Sequence, residues 1–104
     1  MIMLEKDIEQ YLVEQVKKAL HGNALKWVCP GHAGVPDRIV LASGLPAVFV
    51  EVKRPGEKLR PLQMATHLQL MALGADCRVV ASKEEVDELI HGLHTAQISR
   101  ICNQ

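Results

Sequence analysis

The chain has 104 residues, with 12 Lys and Arg balanced by 12 Asp and Glu. That balance removes any chain-wide basic field, so a nucleic-acid footprint would have to be local. Three scattered cysteines argue against a disulfide framework and fit reduced thiols, and no apolar run is long enough to span a bilayer. The expectation is one compact domain over residues 1–104, cytoplasmic and without a membrane partner, with a core of Leu, Val, Ile, Ala and Met, since only one Trp, one Tyr and one Phe occur.

In chain order, Leu4, Ile8, Tyr11, Leu12, Val16, Ala19 and Leu20 recur at helical spacing, and Gly22 follows as a stop. Leu25 to Cys29 reads as a short strand, and the Gly and Pro content of residues 30–36 makes a loop. Asp37 to Ala42 reads as a second strand. Ser43-Gly44-Leu45-Pro46 turns the chain, and Ala47 to Lys53 returns antiparallel as a third. Residues 54–60 form a basic connection. Pro61 suits the first turn of a helix that runs to about Leu73, with Gly74 after it. Ala75 to Ala81 gives a fourth strand. Ser82 with Glu85 three positions later matches a capping box, and a last helix runs to about Leu93, leaving the segment from His94 ambiguous. The order αβββαβα implies an α/β fold: a small mixed sheet flanked by helices, its last crossover parallel and right-handed.

The chemistry gathers on the hairpin. In Val48-Phe49-Val50-Glu51-Val52-Lys53 the period of two puts Val48, Val50 and Val52 on one face and Phe49, Glu51 and Lys53 on the other. Asp37 opens one strand of the hairpin and Glu51 closes the other, so the two carboxylates converge at one end of the sheet. Two acids at one place suit a hard cation such as Mg²⁺ or Mn²⁺, and the Val52 carbonyl could add a ligand. Such an ion would activate water and stabilise the charge that grows during phosphodiester cleavage, with Lys53 orienting the water or stabilising the same charge. The competing reading is a surface ion pair between Glu51 and Lys53. Taken alone the pair favours that reading; adding Asp37 reverses it.

Pro36-Asp37, then thirteen intervening residues and Glu51-x-Lys53, resembles the core of the PD-(D/E)XK nuclease superfamily, whose fold is the restriction-endonuclease-like one. Gly31-His32-Ala33-Gly34-Val35-Pro36-Asp37-Arg38-Ile39, Val50-Glu51-Val52-Lys53-Arg54-Pro55-Gly56 and Leu59-Arg60-Pro61-Leu62-Gln63 together are similar to the VRR-NUC family within it. The resemblance implies that Asp37, Glu51 and Lys53 form the catalytic set. It also implies an acidic residue from the first helix at the metal or its waters, Glu5 with Glu9 one turn later as the competitor. Gln63 matches a polar position that would bond Lys53, a water on the ion or a phosphate. The activity implied is a metal-dependent, structure-specific endonuclease on branched DNA, like a Holliday-junction resolvase and working as a homodimer. A less selective duplex or nicking nuclease and a catalytically inert DNA-binding module remain as alternatives.

Around that set, Lys26, Arg38, Arg54, Lys58 and Arg60 are candidate phosphate contacts, with a solvated basic loop as the plain alternative. Gly31, His32 and Gly34 would let backbone approach a phosphate, or simply build a turn. Cys29-Pro30-Gly31-His32 has the spacing of half a zinc site but lacks a second half. His67, one turn after Gln63, reads as a surface helical histidine, with a DNA-facing position as the alternative.

Overall fold

The computed structural model describes residues 3–102. Its elements follow the expected order: α1 (Glu5–Leu20), β1 (Asn23–Lys26), β2 (Arg38–Leu41), β3 (Val48–Val52), α2 (Pro61–Ala72), β4 (Asp76–Val80) and α3 (Lys83–Cys102). They build an α/β fold around one four-stranded mixed sheet in the order β1-β2-β3-β4. β1 and β2 pair antiparallel, as do β2 and β3, while β3 and β4 run parallel across the α2 crossover.

Strand alternation decides which face is the core. Ala24, Val40, Val48, Val50, Val52 and Val80 point to one side and are buried with Ile8, Leu12, Val16 and Leu20 of α1 and Val86, Leu89, Ile90 and Leu93 of α3. The opposite side carries Trp27, whose ring centroid lies 5.0 Å from that of Phe49, and it carries Glu51 and Lys53. α2 lies over that second side, and it buries one residue only, His67. The molecule is therefore thin, with extents of 40 × 38 × 20 Å.

β2, β3 and β4 are each one residue shorter at both ends than expected, and the junction of α1 with β1 differs more. His21, not Gly22, takes the left-handed position that ends α1, at φ 52°. Gly22 serves a close approach instead: a Cβ there would lie 2.2 Å from the Leu41 carbonyl oxygen, so the chain can join β2 at once and β1 begins at Asn23. β1 correspondingly ends at Lys26. The N–H of Trp27 still donates to the Asp37 carbonyl at 2.9 Å, holding the chain beside the mouth of the hairpin.

The ambiguous segment after Leu93 continues α3 to Cys102. Its anchor is Gln97, whose Nε2 donates to the carbonyls of Leu20 at 3.1 Å and Ser43 at 2.9 Å. A polar side chain on an otherwise apolar stripe breaks the pattern that periodicity reads, yet here it ties α3 to the end of α1 and to the hairpin turn. At the other end of α3, Ser82 Oγ accepts the Glu85 N–H at 3.0 Å, as the capping signature predicts, while Glu85 reaches one residue further back and accepts the Ala81 N–H at 2.9 Å.

Gln97→Leu should leave both carbonyls without their donor. Urea unfolding should show a loss of about 1–3 kcal/mol, with the native circular dichroism spectrum retained; an unchanged midpoint would mean that apolar packing alone holds this end of α3.

Candidate active site

Arg38 pairs with Val50, so the next position in register sets Asp37 opposite Glu51. Directly opposed residues on an antiparallel pair have Cβ atoms about 5 Å apart. Asp37 Oδ2 accepts the Val52 N–H at 3.0 Å, which fixes its carboxylate beside the end of β3. Within a strand residue, the N–H and C=O point to the same side, so the Val52 carbonyl also faces β2. The residue opposite it in register is Pro36, which has no N–H to give. Two carboxylates and one backbone carbonyl thus gather where β2 begins and β3 ends.

Glu51 and Lys53 are not on the surface: they are 3 % and 2 % exposed. Lys53 Nζ lies 3.6 Å from Glu51 Oε2 and 3.4 Å from Glu57 Oε1. Glu51 Oε2 also accepts from Gln63 Nε2 at 3.0 Å, while Gln63 Oε1 takes the Arg60 N–H at 2.9 Å and caps α2. Gln63 therefore bonds Glu51, a partner outside the set expected for it. Glu51 Oε1 is buried and has no partner at all. An unpaired carboxylate oxygen in a dry site is costly, and the cost shows in its proton affinity. Burial first, then the Asp37 charge, push the Glu51 carboxyl from 4.5 up to about 7, although Lys53 pulls the other way.

Glu5 and Glu9 differ in their surroundings. Glu9 accepts from Arg38 Nε at 2.7 Å and from Lys26 Nζ at 3.4 Å, and it faces β1 and β2. Glu5, the first residue of α1, is exposed, and its carboxyl is raised first by desolvation and then by the Asp37 and Glu57 charges. The basic candidates divide in the same way. Arg38 is held by Glu9 and by the Ala24 carbonyl at 3.0 Å, and Arg54 Nε pairs with Glu57 at 2.9 Å. Lys58 and Arg60 are exposed on the connection that leads from Lys53 into α2. Gly31 and His32 are exposed in the loop before β2. Gly34 has φ +84°, and a Cβ on it would lie 2.9 Å from Thr66 Oγ1 and 3.0 Å from the Leu62 carbonyl oxygen. Its smallness lets this loop close onto α2, where Thr66 Oγ1 donates to the Ala33 carbonyl at 3.1 Å.

Two residues of the site escape a reading of the sequence. Glu57 reaches Lys53 because the Pro55-Gly56 turn folds the connection back, and nothing in the pattern forecasts that turn's direction. His67 was expected on the surface and is instead 3 % exposed, its Nε2 without a partner. The i, i+4 relation to Gln63 was the available signal.

No family model matches the chain. A protein of Acyrthosiphon pisum secondary endosymbiont phage 1, named "Putative nuclease p44", is 43% identical over 83 residues, covering 80% of this chain and 88% of that protein. A solved structure titled "VRR_NUC domain" superposes with a TM-score of 0.77 at 34% identity, covering 84% of this chain and 94% of that one. The chain belongs to the VRR-NUC family. Its nuclease fold carries all three acidic and basic positions of the motif, Asp37, Glu51 and Lys53.

The donors able to hold a cation are Asp37, Glu51 Oε1 and the Val52 carbonyl, all hard oxygens. No cluster of three or more His, Cys, Asp or Glu in metal-holding geometry occurs among the described residues. A pair of acids with a carbonyl and open positions for water is what Mg²⁺ commonly takes, and the orphaned Oε1 fits that need. The same oxygen sets a pH dependence. Glu51 holds its proton more tightly folded than unfolded, so its contribution to stability is present below about 4.5 and is lost as pH rises through about 7. Relative to the wild type, Glu51→Gln should gain on the order of 2 kcal/mol of unfolding free energy between pH 5 and pH 8. Parallel stability-versus-pH curves for the two proteins would show that Glu51 ionises normally.

Proposed function

We propose that this chain is a divalent-cation-dependent endonuclease that hydrolyses phosphodiester bonds in branched DNA, a Holliday-junction-type substrate above all, and that it works as a homodimer. The observation that carries the reading is the partnerless, buried Glu51 oxygen beside Asp37 and Lys53, in a chain of a nuclease family. Hydrolysis forms one bond from a water oxygen to phosphorus and breaks one P–O bond; water loses a proton and the leaving oxygen gains one. A bound Mg²⁺ or Mn²⁺ supplies water activation and neutralises charge on the phosphate.

This chain's own groups do the rest. Asp37 and Glu51 supply the negative site, and Asp37 is locked by the Val52 N–H. Lys53, held within 3.6 Å of Glu51, brings a fixed positive charge to the growing phosphorane charge in a water-poor setting. Gln63 holds one oxygen of Glu51 and leaves Oε1 without a protein partner. Lys58 and Arg60 offer phosphate contacts that orient DNA without reading its sequence.

The homodimer rests on α2. From Pro61 to Ala72 the helix has no charged residue, and Leu62, Met64, Leu68 and Met71 are exposed. A second copy laid against the side that carries Met64, Leu68 and Met71 would cover these three in a self-complementary two-fold contact. Two sites related by two-fold symmetry match the near two-fold shape of a four-way junction.

With Mn²⁺, purified protein should cut a synthetic four-way junction, and Asp37→Ala and Lys53→Ala should each slow single-turnover cleavage by at least about 100-fold. Free cutting of simple duplex with the junction left intact would contradict the branched substrate. In sedimentation, wild type should run as a dimer and Leu68→Glu as a monomer; a wild-type monomer at micromolar concentration would remove the dimer.

A further inference from the structure

Among the described residues, only two buried side-chain polar atoms lack a partner, Glu51 Oε1 and His67 Nε2. Buried polar atoms are satisfied in the great majority of cases, so two orphans in one site call for a shared cause. Gln63 links the two to one region of the site. Gln63 and His67 lie one turn apart on the same face of α2, and Gln63 bonds Glu51 directly. The charges of Asp37 and Lys53, which bear on Glu51, bear on His67 as well.

His67 is also an odd choice for packing alone. It is the only buried residue of a helix that exposes Leu62, Met64, Leu68 and Met71. A helix that needed only adhesion to the sheet would turn one of those apolar residues inward. α2 instead sends an imidazole, and burial lowers its proton affinity. A neutral imidazole has one nitrogen able to accept a hydrogen bond.

We propose that His67 is a positioning residue of this site, its Nε2 and Glu51 Oε1 together holding one ordered water. Both atoms accept, and one water has two hydrogens to give, so both orphans are satisfied at once. The water's oxygen lone pairs then face away from the two acceptors, free for phosphorus or a cation. Two polar acceptors meet the minimum number of partners that a buried water requires. The role assigned to that water, delivery to the scissile phosphate, rests on the nuclease reading above.

Three proteins test the assignment: wild type, His67→Leu and His67→Gln. Each is measured for melting temperature, for junction affinity in Ca²⁺ and for single-turnover cleavage in Mn²⁺. Removing an unpaired buried polar atom should leave the melting temperature of His67→Leu unchanged or higher. Its affinity should stay within about 2-fold of wild type while its cleavage rate falls by about 10-fold or more, and His67→Gln, which keeps an acceptor near the same place, should recover part of the rate. In ¹⁵N-histidine spectra of the wild type, Mg²⁺ should move the His67 Nε2 resonance. The proposal is overturned if His67→Leu cuts within about 2-fold of wild type, if it loses stability and cleavage together with no recovery in His67→Gln, or if Mg²⁺ leaves that resonance in place. A wild type that cuts no DNA sinks the nuclease reading and this role with it; a cutting wild type beside an equally active His67→Leu sinks the role alone.

Discussion

The register of β2 against β3 is the constraint on which the site depends. Because Arg38 faces Val50, Asp37 must face Glu51, and the strand period then puts Lys53 on the same side. A slip by one residue would send Glu51 and Lys53 into the valine core and Val50 and Val52 out of it. The core packing of Val48, Val50 and Val52 against α1 and α3 therefore enforces the placement of the charges as firmly as any contact among them. The hairpin turn and the Val52 N–H bond to Asp37 complete the lock.

The arrangement carries a stability cost. A carboxylate and an ammonium are almost wholly buried, one carboxylate oxygen has no partner, and α2 covers them with an imidazole rather than with aliphatic groups. Buried charge pairs commonly fail to repay their desolvation, and for Glu51 the imbalance appears as a carboxyl with a pKa of about 7. Proteins tolerate such local conflict where a site must be ready for a charged partner. Here the remainder of the chain compensates through an aliphatic core on the opposite face, joined at its far end by Gln97.

Much of this was legible in the chain itself. Element order, the hairpin, the parallel crossover and the pairing of Asp37 with Glu51 all follow from strand periodicity, turn residues and helix signals, because each is a local pattern. What escaped depends on direction in space. Gln63 was expected near Lys53, a water or a phosphate and bonds Glu51; His67 was read as exposed and is buried. A helix with apolar residues on every side, as in Leu62, Met64, Leu68 and Met71, gives no amphipathic stripe from which to tell its inner face. The distinction between Glu5 and Glu9 likewise needed the position of Arg38, since both acids stand one turn apart on the same helix.

The central claim is that Asp37, Glu51 and the Val52 carbonyl form one cation site. Anomalous scattering from crystals soaked in Mn²⁺ tests it most directly. The account predicts a single strong peak within bonding distance of Asp37, of Glu51 Oε1 and of the Val52 carbonyl oxygen. Crystals that bind Mn²⁺ elsewhere while Glu51 Oε1 remains without a metal neighbour would contradict it.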